Sequence, residues 1–331
     1  MGSELLVTKE NAMTKTTQQQ QATTNSRPTR KTTQKVFVSG ATGLVGKALM
    51  SKLAERNLPV NRLVRTRPGM GDVLWDPANG KLDASHLQSD AVVHLAGESI
   101  AEGRWTDSKM KAIRNSRVEG TRLLCERLAS LPVPPSVLVC ASAIGYYGDR
   151  GDEMLSEDSK AGDGFLPDVC QEWEQATQPA RDAGIRVVNL RIGVVLAREG
   201  GALSKMRMPF KMGVGGKIGS GSQWMSWISL TDLVSIICKA IDDPTIEGPV
   251  NAVAPQAVTN LEFTKALGKA LRRPTIAPLP AFAARLALGK MADALLLASI
   301  RVTPKKLLDA GFEFEHPSID EGIASVLGAK S

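Results

Sequence analysis

Three glycines stand at regular spacing in Gly40-Ala41-Thr42-Gly43-Leu44-Val45-Gly46. The run Val36-Phe37-Val38 precedes them and reads as a short strand. Leu44, Val45, Ala48, Leu49 and Leu53 follow at helical spacing. Glycines placed this way permit a tight turn, close approach of a diphosphate, and close helix–sheet packing. The helix behind them offers free N–H groups and the positive end of its dipole. The pattern therefore points to a dinucleotide site. An NAD site usually carries Asp or Glu about 20 residues on, bonding the ribose hydroxyls. Here Arg62-Leu63-Val64 runs into Arg65-Thr66-Arg67, with no acid. Arginine suits a 2′-phosphate through charge-assisted bonds, so NADP is expected over NAD. Leu95-Ala96-Gly97 ends a later strand with small residues that let the backbone pass close to a nucleotide. Ala141-Ser142-Ala143 ends another, at the edge where such sheets bind ligands.

Groups able to move a proton are few. The chain has two tyrosines, Tyr146 and Tyr147, and three scattered histidines, His86, His94 and His316, which read as structural. Ser142 offers a hydroxyl, and Glu98 a carboxylate that would act as a base if buried. Cys125, Cys140 and Cys238 sit in apolar runs and read as small core residues; Cys170 reads as a buried structural thiol. No two cysteines have metal-knuckle or redox spacing, so no metal site is expected and a reducing compartment is. Trp173 and Glu174 read as a core anchor and a helix-face charge.

The elements that must position these groups alternate. Strands are expected at Val36–Val38, Arg62–Val64, Asp72–Trp75, Ala91–Leu95, Val137–Ala141, Arg186–Leu190 and Pro249–Val253. Helices are expected at Leu44–Glu55, Asp107–Ser130, Pro167–Ala183 and Leu230–Ile241, the last capped by Ser229 or Thr231. Gly200-Gly201 and Gly213–Gly221 read as loops. Continuously apolar strands alternating with helices indicate an α/β fold: a Rossmann-type doubly wound parallel sheet. After Asn260 the chain reads as helices broken by Pro274, Pro278 and Pro280. The expected organisation is a tail (1–34), a nucleotide-binding domain with substrate-region insertions (35–260), and a small, mostly helical substrate or lid region (261–331).

The 331 residues are 43% hydrophobic and 23% charged, which excludes a wholly disordered, collagen-like or disulfide-scaffold chain. Aromatics at 4% argue against a stacking nucleic-acid surface. The net charge of +7 is concentrated in the tail and between Leu261 and Lys306. It suits solvated helix faces, a partner or an anionic surface; no nucleic-acid motif accompanies it. No apolar run approaches the roughly 18 residues needed for a transmembrane segment. The tail contains Gln18–Gln21, many Thr, and no acid from Met13 to Gln34. It fits a disordered segment or a transit peptide, hence a cytoplasmic or a plastid or mitochondrial location.

Several stretches together resemble the extended (atypical) short-chain dehydrogenase/reductase superfamily. They are Gly40–Gly46, Asn115-Ser116-Arg117-Val118-Glu119-Gly120-Thr121, and Tyr146-Tyr147-Gly148. His94–Glu98, Arg104-Trp105, Cys170–Glu174, Arg191–Leu196, Gly219-Ser220-Gly221 and Ser226-Trp227-Ile228 resemble more closely its SulA-like "epimerase family" branch. Pro278 through Gly328 resembles the small helical domain that closes that branch. The resemblance implies NADP held by Gly40, Thr42, Gly43, Leu44, Val45 and Gly46 at the diphosphate. It places Arg65 and Thr66 at the 2′-phosphate, with Leu95, Ala96, Gly97, Arg117 and Val195 alongside. It also implies a small polar substrate and a homodimer.

The superfamily's Tyr-x-x-x-Lys pair is missing. Tyr146 has Arg150 four residues on, and Tyr147 has Gly151. Phe165–Cys170, where the pair should fall, offers neither phenol nor amine. Ala143 takes the place of the usual hydroxyl residue, and Ser229 replaces an expected His. Ser142, Tyr146 and Tyr147 are left as the catalytic candidates. Two functions follow: an NADP(H)-binding epimerase or oxidoreductase, or a non-catalytic NADP-dependent regulatory protein, with organelle (chloroplast) division as a setting.

Overall fold

A computed structural model describes residues 35–83 and 87–328. The tail assigned to residues 1–34 and the reading of His86 lie outside the described residues. Eight strands form the main sheet. Their order is Gly248–Ala252, Arg186–Ile192, Val137–Ala143, Ala91–His94, Val36–Ser39, Val60–Val64, Val73–Asp76 and Lys81–Leu82. Every neighbouring pair is parallel except the last.

The strands form because their side chains are apolar on both faces. Val36 and Val38 face one core, and Phe37 faces the other. Val92 opposes Ala91 and Val93 in the same way, as Leu138 opposes Val137 and Val139. This alternation is the two-residue period of a strand read against helices on both sides. Leu44–Glu55 and Leu230–Asp242 cover the first face. Asp107–Ala129, Phe165–Gln175 and Gln178–Asp182 cover the second. Strand order reverses direction on either side of Val36–Ser39. Ligands of open α/β sheets bind at such a reversal, beyond the carboxyl ends of the strands.

Two expectations need correction. The helix expected over Pro167–Ala183 is two helices, Phe165–Gln175 and Gln178–Asp182. Pro179 lacks an N–H and its ring crowds the carbonyl four residues back, which favours a break in the helix there. Gly200-Gly201 is not simply loop: Gly200, at φ +75°, caps a helix over Gly201–Lys211. Ser229 is the cap of Leu230–Asp242, its hydroxyl accepting from the Asp232 N–H.

The C-terminal segment is mostly helical: Asn260–Leu271, Ala281–Leu288, Lys305–Asp309 and Ile319–Leu327. It does not stand apart from the sheet. Ile323 and Val326 join the same core as Leu49 and Trp227. Gly322 lies against the Trp227 indole, where an added Cβ would overlap the ring. Among the described residues no helix is long and apolar enough to cross a membrane.

Candidate active site at the carboxyl edge of the sheet

The glycine turn has the tightness its sequence implies. Gly40 sits at φ +68°, and a Cβ there would stand 2.9 Å from the Ala96 nitrogen. The Gly43 N–H donates to the Gly40 carbonyl at 2.9 Å. A Cβ on Gly46 would overlap that same carbonyl oxygen. Gly43 is the N-cap of the following helix, with no side chain capping it and no acid in its first turn. Thr42 and Gly43 are exposed above it; Leu44 and Val45 are half-buried. The first-turn N–H groups thus face a position suited to an anion. Gly201 covers the turn, its Cβ position 3.3 Å from Leu44 and 3.4 Å from the Val195 carbonyl.

Arg65 and Thr66 follow the Val60–Val64 strand directly and are exposed. Arg62 is instead paired with Asp72 and is not available to a ligand. A Cβ added at Gly97 would stand 3.4 Å from the Arg117 guanidinium carbon. Arg117 donates to the carbonyls of Glu98 at 2.9 Å and Ile113 at 3.2 Å. Its guanidinium also lies over the Trp173 ring. Burial lowers its pKa from the ordinary value, yet a guanidinium stays charged.

A buried hydrogen-bond chain ties these strand ends together. Ser39 Oγ lies 2.6 Å from His94 Nδ1, and His94 Nε2 lies 3.1 Å from Thr121 Oγ1. Trp173 Nε1 donates to Thr121 Oγ1 at 2.9 Å. Ser39 Oγ also accepts from the N–H groups of Leu95 and Ala96. The network is satisfied by a neutral imidazole with its proton on Nε2, Ser39 donating to Nδ1. Burial lowers the His94 pKa to about 4, in keeping with that neutral form.

The catalytic candidates fall on a second network. Ser142 Oγ donates to Glu174 Oε1 at 2.8 Å. Arg191 grips both Glu174 oxygens, at 2.8 and 2.9 Å. It also donates to the Tyr147 hydroxyl at 3.0 Å. The Tyr147 hydroxyl donates to Asn251 Oδ1 at 2.7 Å or to the Ser156 carbonyl at 2.9 Å. Glu174 is therefore not a helix-face charge; it is 13% exposed and paired with an arginine that is 4% exposed. Burial alone would lower the Arg191 pKa, but the Glu174 bonds and charge raise it.

Tyr147 is fully buried, and burial pushes its phenol up to about 12. With its oxygen already bonded on several sides, Tyr147 is placed to hold the network rather than to meet a substrate. Ser142, 3% exposed, is similarly committed. Tyr146 differs. It is half-buried, its ring 3.5 Å from the Arg191 guanidinium carbon. Glu98 is held by Lys109 at 2.6 Å, which lowers its pKa below the usual carboxylate range and makes it a poor base.

Leu166 and Cys170 stand four residues apart on the Phe165–Gln175 helix, beside the Ile144–Tyr147 turn. Cys170 is buried and its thiol pushed up to about 12, so it is not a nucleophile at neutral pH. Trp105, Phe165, Leu166, Leu288 and Met291 form an apolar cluster from the C-terminal helices to this edge. Ser229 is bonded by His316, whose Nδ1 lies 3.1 Å away, and by Asp232 at 2.7 Å. Sequence reasoning missed Arg191 and Ser39. The signal for Arg191 was a lone cation inside Val187-Val188-Asn189-Leu190-Arg191-Ile192, a place where charge survives only if paired.

Known proteins share this fold. Residues 36–252 match the NAD dependent epimerase/dehydratase family, and residues 279–326 match a domain of unknown function, DUF1731. Epimerase family protein Mb2239 of Mycobacterium bovis is 44% identical over 87% of this chain and 96% of its own length. The chloroplastic SDR39U1 homolog of Arabidopsis thaliana is 36% identical over 88% of this chain and 86% of its own. The crystal structure of human epimerase family protein SDR39U1 with NADPH superposes at a TM-score of 0.82, with 34% identity, covering 89% of this chain and all of that one. Glycine turn, strand order, spacing and the C-terminal helices agree with one assignment: the chain belongs to the NAD dependent epimerase/dehydratase family, in its extended short-chain dehydrogenase/reductase branch.

Proposed function

We propose that the chain is an NADP(H)-binding oxidoreductase or epimerase-like enzyme with a reduced proton-transfer set. The observation that carries the reading is the uncapped helix behind Gly40, Gly43 and Gly46, with the exposed Arg65 where an acid would favour NAD. NADPH in the human relative's structure supports the same choice. The glycine turn and Thr42 would hold the diphosphate. Arg65 and Thr66 would hold the 2′-phosphate, and Leu95, Ala96, Gly97, Arg117 and Val195 would line the nucleotide. When bound, the cofactor supplies reversible hydride exchange. The chain must then supply the proton. Tyr146 is the candidate that is neither fully buried nor fully bonded, while Ser142, Glu174, Arg191 and Tyr147 hold its turn in place.

A second reading, NADP-dependent regulation without turnover, is favoured by one observation: Phe165–Cys170, where the phenol and amine are expected, supplies neither. NADPH oxidation across sugar nucleotides, ketones and quinones separates the two. Turnover that falls at least about tenfold in Tyr146→Phe supports catalysis through that phenol. Tight NADPH binding with no oxidation of any substrate supports regulation instead.

A further inference from the structure

A cavity of about 500 Å³ opens at the opposite edge of the sheet. Arg186 and Gly248, which begin adjacent parallel strands, both line it. The glycine turn lies at the other ends of the strands, so this cavity is separate from the dinucleotide region. Arg181, Arg186 and Lys306 also converge here, against one lining acid, the exposed Glu247.

Two of the three cations are fixed by backbone carbonyls. Arg186 donates to Ala240 and Ile246 at 2.8 and 2.7 Å, and to Ile241 at 3.1 Å. Lys306 donates to the Glu247 carbonyl at 3.0 Å. Among the described residues none of the three forms a salt bridge. Asp243 and Glu247 lie near enough to act on Arg186 by charge, yet no carboxylate pairs directly with any of the three, and cations so placed at one cavity favour an anion there.

A second observation points to the same place. Val187 lines the cavity, and Asn189 lies two residues on, on the same face of the strand. Asn189 is 1% exposed, and neither its amide nitrogen nor its oxygen has a hydrogen-bond partner. Glu157 Oε2 is likewise buried without one, although Oε1 accepts from the Lys306 N–H at 3.2 Å. Buried polar atoms in native proteins nearly always have partners. Both residues adjoin ones that line the cavity: Asn189 stands two residues beyond Val187, and Glu157 is bonded to the Lys306 N–H.

We propose that this cleft binds a phosphate-bearing small molecule, with the phosphate on Arg181 and Lys306 and hydroxyl groups toward Asn189. Arg186, tied to three carbonyls, forms the wall. The site does not depend on the dinucleotide reading.

Calorimetry of the full chain with inorganic phosphate and with glucose 6-phosphate tests it. Binding should weaken at least about tenfold in the Arg181→Gln, Lys306→Gln double variant and stay unchanged in Arg65→Gln. Tighter binding of glucose 6-phosphate that falls to the inorganic phosphate level in Asn189→Leu assigns an ester with hydroxyls. Equal binding of the two assigns free phosphate. Thermal melts check that each variant folds. No binding of either probe, or binding lost in Arg65→Gln and kept in the double variant, overturns the proposal.

Discussion

At the scale of single residues, two buried charges or near-charges dominate. His94 is neutral when folded, its pKa lowered by burial from near 6.5 to about 4. The unfolded chain takes up a proton on this residue below pH 6.5, while the folded chain resists until about pH 4. Its contribution is therefore complete above pH 6.5 and is lost as pH falls toward 4, amounting to about 3 kcal/mol. Urea unfolding at several pH values should show that slope, and His94→Gln should flatten it. Identical slopes in the two proteins would contradict the assignment. Arg191 and Glu174 make the second case. Glu174→Gln leaves a buried guanidinium unpaired and should cost about 3–5 kcal/mol. Replacing both, as Arg191→Met with Glu174→Leu, should recover part of that loss. A cost below about 1 kcal/mol for the single change would mean that the pair is not the anchor it appears in geometry.

At the scale of elements, the glycine turn and its strand and helix were legible because each is local. Three glycines, a β-branched run and an apolar helix stripe carry the whole pattern. Gly46→Ala should weaken NADPH binding by at least about tenfold, because the added methyl meets the Gly40 carbonyl and pushes the turn open. A titration with unaltered affinity would show that the turn does not hold the diphosphate. The helix Gly201–Lys211 was not legible. Its cap is a glycine at positive φ, and Pro209 within it reads as a break. The Ser142–Glu174–Arg191 network was also hidden. Its members come from a strand end, a helix and a neighbouring strand, and no spacing in the sequence joins them. Glu174 alone looks like any solvent-facing helix charge.

At the scale of the whole molecule, the parallel sheet was legible from strand–helix alternation. What the alternation did not reveal is how far the C-terminal helices enter the core. Ile319, Ile323 and Val326 pack with Leu49, Phe263 and Trp227 in one cluster. Deleting residues 313–331 strips these side chains away and should cost more than about 5 kcal/mol, a large share of ordinary domain stability. Circular dichroism melts should show loss of the cooperative transition; an unchanged melt would mean that the C-terminal helix is dispensable. The same helical segment packs through Leu288 and Met291 in one apolar cluster with Trp105. Occupancy of the carboxyl edge by NADP(H) is measured directly by calorimetry with NADPH and NAD. The predicted result is tight NADPH binding, much weaker NAD binding, and a loss of about tenfold or more for NADPH alone in Arg65→Ala. No binding of either dinucleotide, or equal binding untouched by Arg65→Ala, would contradict it.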